Sequence, residues 1–229
     1  MDTNSLPINL TQPALFDFAE TTTGAMELFP AVWSAVEDLA APETRVRHSA
    51  LHRLEALNAP RLSPLVTYML ATRLTDPDLG LRLKIIQILG NLFLPDEHGQ
   101  PASEISLRYL SGYLGQMRTR AVYDLLEAAA SNNIEQQVAR LLNASPYAAN
   151  HLVDIMADRK NPLDVRRQAI HFIGLVGFLD ALPALERLEV RLAARLSGQQ
   201  SMPFAPPSST DETALLPVVQ KALALLKAP

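Results

Sequence analysis

The chain contains no cysteine and few aromatic residues, and its first 44 positions contain no lysine or arginine. The absence of cysteine excludes disulfides, thiolate nucleophiles and cysteine-based zinc sites. Aromatic residues make up 6% of the chain and hydrophobic residues 48%, with leucine and alanine dominating, which favours helix packing over a β-sandwich core. We therefore expect an all-α protein with ample apolar surface to bury.

Charge is unevenly distributed along the sequence. The net charge is -4 and the isoelectric point is about 5.7. Seven acids lie in the first 44 residues, which leaves 20 bases against 17 acids in the remainder. Nucleic-acid recognition normally requires a basic face, so this balance argues against a nucleic-acid partner, although a local basic groove beyond residue 44 stays open.

No targeting or membrane segment is expected. The first ten residues, "MDTNSLPINL", lack the basic region and apolar core of a secretory signal. An uncharged run at 196–210 has only fifteen residues and is rich in Pro, Ser and Gln. A membrane-spanning helix needs about twenty apolar residues. The sequence thus predicts a cytoplasmic protein without a membrane span.

Apolar residues recur with a helical period in about eleven segments, separated by breaks that contain Pro, Asp, Asn or Gly. Ser63 before Pro64 is typical of a helix N-cap, and Asp164 is predicted to cap the helix that follows it. An additional helix at 134–144 has no partner. The other segments form predicted antiparallel pairs: 25–40 with 43–58, 62–75 with 78–94, 103–117 with 119–131, 147–159 with 164–178, and 181–197 with 211–227.

The second helices of these pairs resemble one another. "TRVRHSALHRL" at 44–54 matches "LGLRLKIIQIL" at 79–89 at an offset of 35, and "LDVRRQAIHFI" at 163–173 matches the latter at an offset of 84. A weaker copy, "MRTRAVYDLL", begins at Met117. Successive spacings are thus 35, 36 and 48 residues, and the longest accommodates the unpaired helix.

These segments resemble the HEAT-repeat family, in which an Asp near the turn precedes a second helix opening with V-R-x-x-A. The matching residues are Asp164, Val165, Arg166 and Ala169 in one unit and Val46, Arg47 and Ala50 in another. In a third unit, Leu81, Arg82 and Ile85 hold these places. The resemblance implies an α-α superhelical solenoid of about five hairpins over residues 25–229, with one extra helix in the middle.

Two segments depart from this pattern. Residues 1–24 mix Thr, Pro and acids with a small apolar cluster, and we expect an N-terminal arm or cap. Residues 197–211, "SGQQSMPFAPPSSTD", form a long insertion in the last hairpin, whose composition predicts a flexible loop. A flap that presents Met202 and Phe204 is the alternative.

A helical wheel started at Val165 predicts a buried arc that contains Val165, Ala169, Ile170, Ile173 and Val176. Arg167 and His171 fall outside this arc. Transferring these two positions to the other second helices gives a predicted row on the concave face that is taken as the partner-binding site: His48, His52, Leu83, Gln87, Thr119, Tyr123, Arg167 and His171. The alternative is that these residues are merely the solvated backs of helices.

Arginine recurs at the edge of the apolar arc in each of the four units. A guanidinium at such a position needs an acid or carbonyl partner. We therefore interpret these residues as a structural ladder between adjacent units rather than as ligand contacts: Arg47, Arg82, Arg118 and Arg166.

The resulting functional hypothesis is a non-catalytic interaction or scaffold module that binds a protein or peptide on its concave face. Two alternatives stay open, a HEAT-like enzyme or lyase-accessory protein with a groove site and a nucleic-acid-binding repeat protein. P-loop, Rossmann and nucleophile-elbow patterns are absent from the sequence.

The residues that HEAT-like enzymes use for catalysis have no clear counterparts in this sequence. The deoxyhypusine hydroxylases bind iron through His-Glu dipeptides, and none of the five histidines here precedes Glu. The DNA glycosylases of this fold use a basic groove, whereas Trp33, the only Trp, lies in the acidic first helix. His48 and His52 have metal-binding spacing but no evident third ligand. We expect no cofactor and no metal.

Overall fold

A computed structural model describes residues 29–130, 133–200 and 212–228 of the chain. Within these ranges the protein is all-helical, without a strand, which confirms the predicted class. The helices are α1 (Pro30–Asp38), α2 (Thr44–Ala56), α3 (Ala59–Leu62), α4 (Pro64–Ala71), α5 (Leu79–Asn91), α6 (Glu104–Leu114), α7 (Thr119–Ala130), α8 (Glu135–Asn143), α9 (Ala148–Ala157), α10 (Leu163–Val176), α11 (Leu182–Gln200) and α12 (Leu216–Lys227). Short 3-10 turns at Leu179–Ala181 and Glu212–Leu215 lead into the last two. None of the described helices combines the length and apolarity needed to cross a membrane.

Short polar side chains and prolines determine where several helices begin. The hydroxyl of Ser63 accepts a hydrogen bond from the backbone N–H of Val66 at 3.2 Å, which confirms the predicted N-cap of α4. Asp78 caps α5 in the same way, with a 2.7 Å bond from the N–H of Leu81. Asp164 is not a cap, because α10 already begins at Leu163 and the Asp164 carboxylate bonds Arg167 instead.

Four of the five predicted helix pairs pack together: α1 with α2, α4 with α5, α9 with α10, and α11 with α12. The predicted pairing of 103–117 with 119–131 is wrong. Instead α6 packs against α4, and α7 packs against α9 and α10. The physical reason is the distribution of buried residues. Helix α6 buries a single stripe of Ser106, Leu110 and Leu114, whereas α7 buries residues on several sides and therefore contacts several neighbours.

The predicted extra helix is α8, and two glycines show how it is accommodated. A Cβ atom on Gly90 of α5 would lie 2.7 Å from the Cα of Gln137 of α8. A Cβ atom on Gly174 of α10 would likewise lie 2.7 Å from the Cα of Ala222 of α12. These glycines are 84 residues apart, the offset that relates "LGLRLKIIQIL" to "LDVRRQAIHFI" in the sequence. Helix α8 therefore packs against α5 in the same way as α12 packs against α10, with its backbone close to a glycine of the other helix.

The second helices consequently make contact in a continuous series. Helix α2 contacts α5, α5 contacts α8, α8 contacts α10, and α10 contacts α12. From the sequence offsets, α7 alone was expected to lie between α5 and α10 in the series of second helices. The structure shows α8 in contact with both of these helices, while α7 also contacts both.

The core follows the predicted arc of α10 and extends beyond it. Val165, Ala169, Ile170 and Ile173 are buried, whereas Val176 is only partly buried. Phe172 and Gly174 are buried in addition, because α12 packs on a further side of the helix. Leu89, at the position in α5 equivalent to Ile173, is fully buried.

The predicted terminal segments are covered only in part. The arm at 1–24 lies outside the described residues, and the first described helix starts at Pro30 rather than near 25. Helix α11 continues to Gln200, so the first four residues of the predicted 197–211 loop are helical. The rest of that loop, with Met202 and Phe204, lies outside the described residues.

Candidate functional site

Three of the four predicted ladder arginines are buried and join one helical unit to the next. The guanidinium of Arg47 lies 3.0 Å from the carboxylate of Asp76 and also donates to the carbonyls of Ala41 and Pro42. Arg82 lies 2.9 Å from Glu127, and Arg166 lies 2.6 Å from Glu212. Each acid lies between 29 and 46 residues after its arginine. These contacts confirm a structural role for the three arginines.

Arg118 does not belong to this series. It is exposed, which makes the prediction for this residue wrong. Two residues later, Arg120 lies 3.1 Å from the buried carboxylate of Asp124, which is also 3.5 Å from Arg82. Burial raises the pKa of Asp124 despite the opposing effect of these two guanidiniums. The weak third copy of the repeat therefore placed its arginine incorrectly.

The first two members of the predicted row lie on α2. The Nε2 atom of His48 is 2.9 Å from the carboxylate of Asp78, the residue that caps α5. The pKa of Asp78 is lowered chiefly by the hydrogen bond from the N–H of Leu81 and further by the bond to His48. His52, one turn later, is exposed. The described residues include no group of three or more His, Asp or Glu side chains that could hold a metal ion.

Gln87 lines a groove of about 680 Å³ between α5, the end of α2 with α3, and the turn that follows α5, and α8 contributes Gln137 to its wall. Lys84 in this groove lies 2.7 Å from Glu55 of α2. The amide of Gln137 on α8 donates to the side-chain oxygen of Asn91 on α5 at 3.3 Å. Leu83 is partly buried and packs against the core, so it contributes less to this surface than Gln87.

Arg167 and His171 lie together in a second groove, of about 310 Å³, between α8, α10 and α12. The Nε2 atom of His171 is 2.5 Å from the carboxylate of Glu135 on α8. Arg167 bonds Asp164 at 2.6 Å on the same helix, and Lys221 of α12 lines the opposite wall. This groove thus combines two cations, an imidazole and a carboxylate.

Thr119 and Tyr123 lie in a separate cavity, against α9 and the turn that follows it. The hydroxyl of Thr119 is 2.9 Å from Nδ1 of His151, and the guanidinium of Arg120 lies 5.2 Å from the centre of the Tyr123 ring. The structure therefore does not bring these two residues beside Arg167 and His171. Glu135 and Gln137 of α8 line the two grooves that contain His171 and Gln87.

Sequence reasoning missed Glu135 and Gln137 because α8 had been left without a place in the repeat. The signal that could have placed it is the recurrence of glycine at positions 90 and 174, which the sequence offset of 84 residues relates to each other. We call the surface formed by the two grooves the second-helix face. It consists of Glu55, Lys84, Gln87, Asn91, Glu135, Gln137, Arg167, His171 and Lys221.

Comparison of the chain with protein-family models, curated proteins and solved structures found no match.

Proposed function

We propose that this protein is a HEAT-like solenoid of helical hairpins that binds a protein or peptide along the second-helix face. Support for the solenoid comes from the equivalent glycines Gly90 and Gly174, each of which admits the backbone of the next second helix. The buried arginines supply a second repeated contact between units. In such a solenoid the second helices line the concave side.

The observation that carries the proposed function is the series of polar contacts at the surface between successive second helices, of which the bond between His171 and Glu135 is partly buried. Glu55 of α2 bonds Lys84 of α5, Asn91 of α5 bonds Gln137 of α8, and Glu135 of α8 bonds His171 of α10. Polar side chains thus follow one another across four helices on one surface. The two grooves lie along this series.

The chemistry of this face suits an extended peptide. A peptide backbone presents one N–H donor and one carbonyl acceptor per residue. The side-chain amides of Gln87, Asn91 and Gln137 can act as both donors and acceptors, so they can match either group. Arg167 and Lys221 add positive charge near the α12 end of the face, where an acidic side chain of the peptide would be bound.

Selection of peptides from a random library on the purified protein tests this proposal. For a selected peptide, we expect Arg167→Ala and Gln137→Ala each to weaken binding by about 1–3 kcal/mol, the range for anchor residues. Affinity can be measured by isothermal titration calorimetry. Melting temperatures should change little, because both side chains lie outside the core.

Tyr123→Ala is the control that separates the second-helix face from the predicted eight-residue row. Tyr123 lies in the cavity beside α9, so its loss should leave the affinity of such a peptide unchanged. A peptide that loses affinity with Tyr123→Ala and not with Arg167→Ala or Gln137→Ala would contradict the proposal and move the site to that cavity.

A further inference from the structure

Four arginines converge on the single carboxylate of Glu212. The Oε1 atom of Glu212 lies 2.6 Å from Arg166 and 3.0 Å from Arg191. The Oε2 atom lies 3.0 Å from Arg195 and 3.6 Å from Arg159. These arginines come from the turn before α10, from α10 itself and from α11. The cluster is separate from both grooves of the second-helix face.

The positive charge of this cluster exceeds its negative charge. Within the described part of the chain, Glu212 is the only acid within 4.0 Å of any of the four guanidiniums. One carboxylate therefore faces four permanent cations. Burial raises the pKa of Glu212, but the hydrogen bond and charge of Arg166, with the charges of Arg191 and Arg159, lower it overall. Glu212 is thus held ionised, and the five described side chains of the cluster, four guanidiniums and one carboxylate, together carry a net charge of about +3 at neutral pH.

The four arginines differ in accessibility. Arg166 is buried and also donates to the carbonyl of Met156 at 2.8 Å, which gives it a structural role. The side chains of Arg159, Arg191 and Arg195 are 60%, 47% and 48% exposed. A guanidinium has five N–H donors, and Arg191 and Arg195 each direct one of them to Glu212. Solvent-facing donors are therefore left on three convergent arginines.

The acids of α11 do not neutralise this side of the helix. Arg187, Arg191 and Arg195 follow at intervals of four residues and share one flank of α11. Glu186 lies on another part of the helix surface, where it is 2.8 Å from Lys227 of α12. Glu189, the other acid of α11, also acts on Lys227, and the two carboxylates raise the pKa of this lysine. Arginines spaced by four residues repel one another, and the single carboxylate of Glu212 is shared between Arg191 and Arg195.

We propose that Arg159, Arg191 and Arg195 form a binding site for a phosphate monoester group. The buried ion pair of Glu212 and Arg166 fixes the position of the carboxylate. The other three guanidiniums contact this carboxylate and are thereby held close together. A phosphate monoester, with a charge of about -2, offsets most of the excess positive charge. Its oxygens can accept hydrogen bonds from more than one guanidinium, the geometry in which arginine binds phosphate most strongly.

Inorganic phosphate and a short neutral peptide with one phosphoserine are the probes that test this site. We expect phosphate to raise the melting temperature in a saturable manner, beyond the effect of potassium chloride at the same ionic strength. The phosphopeptide should bind in calorimetry, and its unphosphorylated form should not. Arg191→Gln/Arg195→Gln should weaken binding of both probes by about tenfold or more, because two charge-assisted contacts are lost.

Arg108→Gln/Arg118→Gln is the matched control, since it makes the same change in net charge at two exposed positions away from Glu212. This variant should bind both probes within about twofold of the wild type, as expected for distant screened charges. If the Arg191/Arg195 variant does not fold, Arg159→Gln tests the same site. Arg159 is the most exposed of the three, and its loss leaves the other contacts to Glu212 in place.

The two probes distinguish the sources of the phosphate group. Binding of the phosphopeptide at least about tenfold tighter than phosphate would identify a phosphorylated protein segment as the ligand. Equal affinity for both would identify a small phosphate compound. A thermal shift no larger than that with chloride, or equal loss of binding in the cluster variant and the matched control, would overturn the proposal.

Discussion

Gly174 of α10 and Ala222 of α12 lie so close that a Cβ atom on the glycine would be 2.7 Å from the Cα of the alanine. Backbone therefore meets backbone at this point, and a side chain of any size would separate the two helices. Gly90 of α5 has the same relation to Gln137 of α8. Both contacts determine how closely a second helix approaches the next one along the chain.

Gly174→Ala and Gly90→Ala should each lower the free energy of unfolding by about 1–3 kcal/mol, because the added methyl group displaces a neighbouring backbone. Urea unfolding followed by circular dichroism measures the effect. Gly112→Ala is the control, since a Cβ atom there meets nothing within 4 Å. At this exposed position of α6, the change should stabilise the protein by about 0.5–1 kcal/mol. Stabilisation by all three changes would contradict the close helix contacts.

Leu89→Ala and Ile173→Ala remove equivalent side chains that are both 0% exposed. Each should cost about 2–5 kcal/mol in unfolding free energy, since each leaves a cavity in the core. Leu175→Ala is the comparison on α10, because the Leu175 side chain is exposed, and its cost should be within about 0.5 kcal/mol. Losses under about 0.5 kcal/mol at both buried positions would show that the helix orientation is wrong.

Arg47→Ala leaves the buried carboxylate of Asp76 without its guanidinium partner. We expect a loss of about 3–5 kcal/mol, the cost of an uncompensated buried charge. Arg118→Ala serves as the control at the corresponding repeat position, where the side chain is exposed and the change should stay within about 0.5 kcal/mol. A large loss with both variants would restore Arg118 to the ladder, and a loss under about 0.5 kcal/mol with Arg47→Ala would contradict the structural role of Arg47.

Glu212 should make stability depend on pH in the acidic range. Its pKa in the folded protein lies below the ordinary value of 4.5, so its ionised form stabilises the fold. This contribution is complete above the unfolded pKa and is lost as the pH falls through the folded one. The difference in unfolding free energy between the wild type and Glu212→Gln should therefore be constant near neutral pH and shrink below about pH 4.5.

Denaturant unfolding of both proteins at a series of pH values measures this difference. Asp124→Asn serves as a comparison, because burial raises the pKa of the Asp124 carboxyl. The unfolding free energy of the wild type relative to Asp124→Asn should therefore increase toward acidic pH, whereas that relative to Glu212→Gln should decrease. A difference between wild type and Glu212→Gln that grows toward acidic pH would show that the arginines do not hold Glu212 in its ionised form.

Local chemistry was sufficient to predict the helical class and several helix ends. Ser63 caps α4 because its hydroxyl reaches the N–H of Val66 three residues later, an interaction that depends only on neighbours in the sequence. The buried face of α10 was predicted from the period of its apolar residues. The burial of Arg47, Arg82 and Arg166 followed from their position at the edge of the apolar arc.

The composition of the second-helix face could not be predicted in the same way. Gln87, Arg167 and His171 were identified from the repeat, whereas Glu135 and Gln137 were missed. Thr119 and Tyr123 were assigned to this surface from a weak repeat copy, but they lie in a different cavity. A sequence offset equates two positions without specifying which neighbouring helix each will contact.

The sequence by itself determined most of the helical segments and most of the buried side of α10, because both depend on interactions within a few residues. The tertiary structure alone decided that α8 packs against α5, that α6 packs against α4, and that four arginines meet at Glu212. Those arrangements depend on close packing between residues far apart in the chain. A period in the sequence carries no information about such distances.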